Sequence, residues 1–353
     1  MASMNIKDIA KICGVGVSTV SRALNNHPDI SPQTRERIMQ AMKEHNYVPN
    51  NSARNLKRQD ARTIAVLVKG ISNPFFSSMI QVFEEEIQKK RYALVLQHVD
   101  EWQDEIDVAM ELEKEKRLNG IVFLGGFFSH SEERLQKIPV PFVLSTIGIL
   151  DQKHKSDYAS VCVDDVAESY KMTDYLIQKG HQRIAILCSS TDDASIGALR
   201  LEGYRMALKE HGIPLREELV RHMHRDVDSY SMKTGYEQTR ELLKEGVEFT
   251  AIYAISDSMA IGACRAVIDA GKRVPEDISL AGFDGTEMAA YYHPAICTVR
   301  QPAEEMARAT IKMLFDMLKK KSRVQQRIFE GTLVEGESVA DNEPNPVSHA
   351  GMR

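Results

Sequence analysis

The sequence predicts an α/β chain in which two doubly wound lobes follow a small all-α head. From residue 62 onward, uninterrupted apolar runs such as Thr63–Val68 and Ile278–Phe283 alternate with amphipathic stretches of helical period. These runs are too many for one doubly wound sheet. Before residue 50 no strand pattern occurs; three short helical patterns do, punctuated by Gly14 and by Ser31-Pro32. A chain of 353 residues has room for two or three domains with substantial cores.

The head comes first in order. Asn5 is a good N-cap, and Asp8 falls where an acid favours a helix start. Ile9 and Ala10 face inward while Lys7 and Lys11 face out. Gly14 breaks this helix and permits a turn, and Val15 plugs the gap behind it. Gly16 then sits at the N-cap of a second helix, with Val17, Ser18, Ser21 and Arg22 on its outer face and Val20 and Leu24 inward. Ser31-Pro32 starts a third helix, continued through Arg35, Ile38, Met39 and Met42 to Asn46. Two short helices around a tight turn, the second with a polar cationic face, outline a helix-turn-helix whose second helix enters a DNA major groove. A small helical domain without a ligand fits the same spacing.

Charge is divided along the chain. Residues 1–60 carry nine Lys/Arg and five Asp/Glu, a net of +4, whereas the whole chain is −5, leaving −9 on the rest. A basic head on an acidic body suggests that only the head meets phosphate. Pro49 ends the head, and Asn51–Lys57 is a basic, helix-compatible stretch of about two turns, marginal alone in water. It contains one isolated apolar residue, Leu56, and its composition also suits a plain linker.

The body follows. Strands are expected at 63–68, 93–97, 120–124, 142–144, 160–163, 183–188, 251–254 and 278–283, with helices between them. Uninterrupted apolar strands argue for parallel sheets covered on both faces. The expected division is lobe 1 at about 62–161 and 294–320, lobe 2 at about 162–292 and 322–340, and a loose tail over 341–353. Ligands of open α/β sheets bind beyond the carboxyl ends of the strands, and two facing lobes make a cleft that can close. The candidates there are Asn73, Phe75 and Phe76 after the first strand, Ser189 to Arg200, Ser256 and Asp257, and Phe283 and Asp284. Aromatic plates with a few acids, one arginine and hydroxyls suit a sugar. Asp257 and Asp284 are equally suited to capping helices, and Phe76 to a core.

The segments IKDIAKICGVGVSTVSRALN and NYVPNNSARNLK strongly resemble the LacI/GalR family of bacterial transcription regulators. The likeness continues through NPFF (73–76), RLEGY (200–204), SDSMAIGA (256–263), ISLAGFDG (278–285) and TVRQP (298–302), covering residues 5–340. The resemblance implies periplasmic-binding-protein-like lobes, a head over 1–48 and a hinge helix over 49–61. It implies base reading by Val17, Ser18 and Arg22, and backbone contacts by Thr19, Ser21 and Asn25. Leu56 would be a minor-groove wedge with Ala53 packed nearby. Positions equivalent to Phe75, Arg200 and Asp284 would touch the effector, with Tyr230 as an aromatic wall. Gly16 departs from a usual serine, Asn55 from a small residue, Ser256 from asparagine, Thr146 from aspartate and Gly336 from arginine.

The function so implied is a homodimeric, sequence-specific regulator of carbohydrate genes, most simply a repressor, gated by a sugar or sugar derivative between the lobes. Control by a partner protein near residues 300–321 and a cytosolic sugar receptor remain alternatives. Enzyme chemistry has little support: no G-x-S-x-G, H-E-x-x-H or Walker A sequence occurs. His222 and His224 lack partners for a metal, and no cofactor is expected. Five scattered cysteines without CxxC spacing disfavour a disulfide framework, no apolar run approaches a membrane span, and the N-terminus has no signal-peptide core. A bacterial cytoplasmic setting follows as the expectation.

Overall fold

The computed structural model describes residues 5–24, 27–45, 47, 62–100, 103–126, 132–147, 158–189, 196–223, 230–320 and 325–342. Asn25, Ala53, Leu56, the linker over 49–61 and the tail beyond Asn342 lie outside the described residues. The chain separates into two compact units, residues 1–61 and 62–353.

The first unit holds α1 (Ile6–Ile12), α2 (Val17–Leu24) and α3 (Pro32–Glu44). α1 opens on a capping box: the Asn5 side chain accepts from the backbone of Lys7 and Asp8, and the Asp8 carboxylate accepts from the Asn5 N–H at 2.9 Å. Cys13 closes the helix, and Gly14 turns the chain at φ +61°, a conformation costly for other residues. Ile9, Val20 and Ile38, one from each helix, are fully buried against one another with Ala10, Ala23 and Met42. Burying each such aliphatic chain contributes about 1.5–3 kcal/mol. That shared core holds helices too short to persist alone. α3 ends at Glu44 with His45 as its C-cap, slightly short of the expected Asn46.

Among the described residues the second unit contains two six-stranded sheets. The first comprises β1 (Thr63–Lys69), β2 (Ala93–Val99), β3 (Gly120–Leu124), β4 (Phe142–Ser145), β5 (Ala159–Val163) and β11 (Gln326–Phe329). Its order is β11-β5-β4-β3-β1-β2, parallel throughout. The second comprises β6 (Ile184–Cys188), β7 (Val220–His222), β8 (Ala251–Ala254), β9 (Ser279–Asp284), β10 (Cys297–Arg300) and β12 (Thr332–Val334). Its order is β12-β10-β9-β8-β6-β7, with only β12 antiparallel. All of β1 is buried: Ile64, Val66 and Val68 enter one core, while Ala65 and Leu67 enter the other. This alternation is the physical content of double winding.

The described helices of this unit are α4 (Pro74–Lys89), α5 (Glu105–Lys116), α7 (Asp165–Gln178), α8 (Ile196–Glu210), α9 (Met232–Lys244), α10 (Asp257–Asp269), α11 (Glu287–Tyr291) and α12 (Ala303–Leu318); the one-turn α6 (Glu132–Leu135) follows β3. The chain crosses between lobes three times: after β5, after β10 and between β11 and β12. Two strands depart from the expected division. β10 lies in the second sheet, registered from Cys297 opposite Ala281 to Arg300 opposite Asp284, rather than in lobe 1. β11 pairs with β5 in the first sheet, rather than lying in lobe 2. The reason is that the return crossing occurs at Gln301-Pro302, after the strand, so Pro302 begins the run into α12.

Candidate functional site: a recognition helix and an interlobe cleft

In the head, α2 buries Val20 and Ala23 and turns Val17, Ser18 and Arg22 outward; Val17 is 41% exposed. Thr19 and Ser21 are half-buried at the edges of this face. The Gly16 carbonyl accepts from the N–H groups of Thr19 and Val20, starting the helix. Arg22 donates from Nη1 to Asp29 at 2.9 Å, and Asp29 also meets His27 Nδ1 at 2.6 Å. Both partners of the Arg22–Asp29 pair are well exposed, so it orients the guanidinium at small energetic cost to a competing ligand.

In the body, the carboxyl ends of the strands bring polar and charged groups together. Asn73 caps α4 through Oδ1, which accepts from the Phe75 N–H at 3.0 Å. Its Nδ2 donates to Asp284 Oδ2 at 3.1 Å, linking the first lobe to the second. Gln301, on the crossing segment just after β10, donates to Asp284 Oδ1 at 2.9 Å. Asp284 is buried at φ +113°, a backbone conformation L-residues rarely adopt. Arg200, only 1% exposed, donates through Nε to Asp165 at 2.9 Å and through Nη1 to the Ile255 carbonyl, and Nη1 stands 3.7 Å from Asp284 Oδ1. Its guanidinium lies 3.6 Å over the ring of Phe283.

A second carboxylate network lies near Asp284. Asp257 is fully buried. Its carboxylate accepts from Thr286 N–H at 2.6 Å, Thr286 Oγ1 at 2.9 Å and Thr298 Oγ1 at 2.6 Å. A Cβ at Gly282 would stand 2.5 Å from Asp257 Oδ1, so glycine is needed there. Burial pushes the Asp257 carboxyl up to about 7, reinforced by Asp284. Burial likewise raises Asp165 to about 6, against the opposing pull of Arg200. Burial raises Asp284 too, opposed by Arg200, Asn73 and Gln301. For Arg200 burial acts downward, and Asp165 and Asp284 outweigh it, so its charge is retained.

The remaining expected residues sort by position. Phe75 and Phe76 are buried, their rings 5.7 Å apart, and Phe76 packs under Gly125. Tyr230 is half-buried at φ +63°, and its carbonyl accepts from Ser256 Oγ at 3.4 Å. Ser256 is fully buried and caps α10 through the Met259 N–H. Thr146 turns the chain at φ +68° and accepts from the Gly125 N–H. A Cβ at Gly336 would meet the Ala295 carbonyl at 2.4 Å, so no larger side chain fits that backbone position. Sequence reasoning missed Asp165, which reads as a second acid beside the N-cap Asp164, and Gln301, present in the TVRQP motif but not singled out. It also missed the buried pair Lys69–Glu105, 3.1 Å apart in lobe 1. A groove of about 1120 Å3 opens beside Asp284, bounded by Phe75, Ser78, Met288, Tyr291, Arg300 and Glu304 among others. Among the described residues no group of His, Cys, Asp and Glu is arranged to hold a metal, and no helix is long and apolar enough to cross a membrane.

Residues 5–50 match the family model for bacterial regulatory proteins of the lacI family, and residues 173–339 match a periplasmic binding protein-like domain. The chain is 41% identical over 337 residues to the HTH-type transcriptional regulator MalR of Clostridium butyricum, covering 95% of this chain and 99% of that one. It is 30% identical to the ribose operon repressor of Escherichia coli K12, covering 93% and 96%. Among solved structures, the transcriptional regulator CelR–cellobiose complex shares the fold at TM-score 0.69 and 27% identity, covering 95% and 99%. A capped helix-turn-helix head, two lobes with three crossings and end-to-end identity of this order have one common explanation: the chain belongs to the LacI family of bacterial transcriptional regulators.

Proposed function

We propose that the protein binds a pseudo-palindromic operator as a homodimer in the bacterial cytoplasm, at the nucleoid. It represses carbohydrate-utilisation genes under control of a sugar or sugar derivative held between its lobes. Val17, Ser18 and Arg22 read base edges, the arginine as a twin donor to guanine. Thr19, Ser21 and Asn25 hold phosphates, and Ala53 and Leu56 engage the minor groove. One head of three short helices reads a half-site, so two copies are required. The chain acts by binding, not catalysis.

The observation that carries the effector reading is the convergence of Asn73, Gln301 and Arg200 on Asp284, at the strand ends and across two lobes. A sugar offers hydroxyls that donate to carboxylates and accept from amides and guanidinium, with apolar ring faces for Phe75, Phe76 and Tyr230. A relative named as a ribose operon repressor and a solved relative in complex with cellobiose support this class. Ser256 belongs to the same wall. Asp257 belongs to it too, its carboxylate already accepting from Thr286 and Thr298. A thermal-shift screen of sugars tests the reading: a bound sugar raises the melting temperature by mass action. The same sugar then alters operator retention in a mobility-shift titration. Stabilisation without any change in operator binding would contradict the gating role.

A further inference from the structure

We infer that the cleft selects a neutral, hydroxyl-rich ligand and rejects its phosphorylated counterpart. The inference rests on the effector reading above and deepens it. Two buried carboxylates, Asp165 and Asp284, both meet one buried guanidinium, Arg200. On the lobe 1 side the buried cation Lys69 is matched by Glu105, and its Nζ also donates to the Gln103 carbonyl at 2.8 Å. Around the groove beside Asp284, four carboxylates (Asp284, Glu287, Glu304 and Glu305) face Arg300 and Arg308. Arg308 in turn pairs with Glu86 at 2.8 Å.

The helix N-termini at these strand ends, the other common hosts for anions, already have internal partners. Asn73 caps α4 and Pro74 supplies no N–H there; Ser256 caps α10; Thr286 caps α11. A phosphoryl group entering among these groups would lose water while meeting carboxylates that outnumber the cations. A hydroxyl meets the opposite situation: the Asp284 oxygens, which accept from Asn73 and Gln301, each have a second lone pair for a hydroxyl donor, and the Arg200 guanidinium stands alongside. The described groups thus match a polyol and oppose a phosphate ester.

The test uses the full chain at neutral pH and constant ionic strength, by calorimetric titration with matched pairs: glucose and glucose 6-phosphate, ribose and ribose 5-phosphate, maltose and its phosphate ester. Inorganic phosphate alone is a further probe. In the pair whose neutral member binds, the phosphorylated member is expected to be weaker by about a hundredfold. Phosphate alone is expected to stabilise no more than chloride of equal ionic strength. Asp165→Asn keeps an acceptor for Arg200 Nε but removes one charge, and narrows the difference by about tenfold. A phosphorylated sugar binding as tightly as its neutral partner, or saturable phosphate binding that depends on Arg200, would overturn the inference. If no member of any pair binds, the effector reading fails first and the inference fails with it.

Discussion

Gly16 brings no side chain to the start of α2, although the backbone there has room for one. A Cβ at Gly16 would have Ser18 Oγ as its nearest neighbour, at 3.5 Å, an ordinary contact. Gly16→Ser should therefore add an N-cap at a gain of a few tenths of a kcal/mol. It also supplies a hydroxyl at the start of α2, and operator affinity should rise at low salt, read by fluorescence anisotropy. Unchanged or weaker binding would show that the position does not approach phosphate. Arg200 shows the converse, a residue too embedded for truncation: Arg200→Ala would strand Asp165 and Asp284 in the interior, at a cost of about 3–5 kcal/mol. Asp284→Asn is the milder probe. The buried acids also set a pH dependence. Asp165 and Asp257 titrate near 6 and 7 in the folded chain, against 3.8 ordinarily. Their folded-state affinity for protons stabilises fully below the ordinary value and is lost as pH rises through about 6 to 7. His181, lowered by burial from 6.5, acts oppositely, losing stability as pH falls, so the carboxyl effect is read above that value. The melting temperature should fall between about pH 6.5 and pH 8, and Asp257→Asn should flatten the slope. A melting temperature that climbs over this interval would contradict the assignment.

At the scale of elements, regular patterns were legible and short irregular ones were not. α1 was readable because Asn5 and Asp8 form a local capping box, and β1 because seven consecutive residues suit burial on both faces. β7, only Val220–His222, carries too few residues for any period, and His222 there reads as surface although its ring meets the Ser189 carbonyl at 3.0 Å. The lobe assignment of β10 and β11 depends on partners far away in sequence, which local periodicity cannot report. Asp284 and Arg200 were visible as residues following strands. The roles of Asp165 and Gln301 required distances between segments 35 and 17 residues apart. The linker gives a prediction at this scale. Leu56 is an apolar residue in a basic polar segment, and Leu56→Ala should weaken operator binding far more than nonspecific binding, because only the bent operator complex repays a wedge. Equal losses on operator and random duplex would remove that role.

At the scale of the molecule, polar links among the described residues join the two sheets. Asn73 is the most direct of them, since it caps a lobe 1 helix and donates to a lobe 2 carboxylate with the same amide. Asn73→Asp preserves the cap acceptor and sets a second negative charge against Asp284. The ligand-free melting temperature should fall by about 2–4 °C with circular dichroism unchanged; an unaltered melting temperature would mean the link contributes nothing. A ligand changes DNA binding only through a difference in affinity for two arrangements of the lobes. The measurement closest to that claim is operator affinity with and without the sugar found by thermal shift, for the wild type and Asp284→Asn. The wild-type dissociation constant should change by about 5–150-fold on adding sugar, while Asp284→Asn should bind operator as the wild type does without sugar and show no response. A wild type that ignores the sugar, or a variant that responds in full, would contradict control of DNA binding from this cleft.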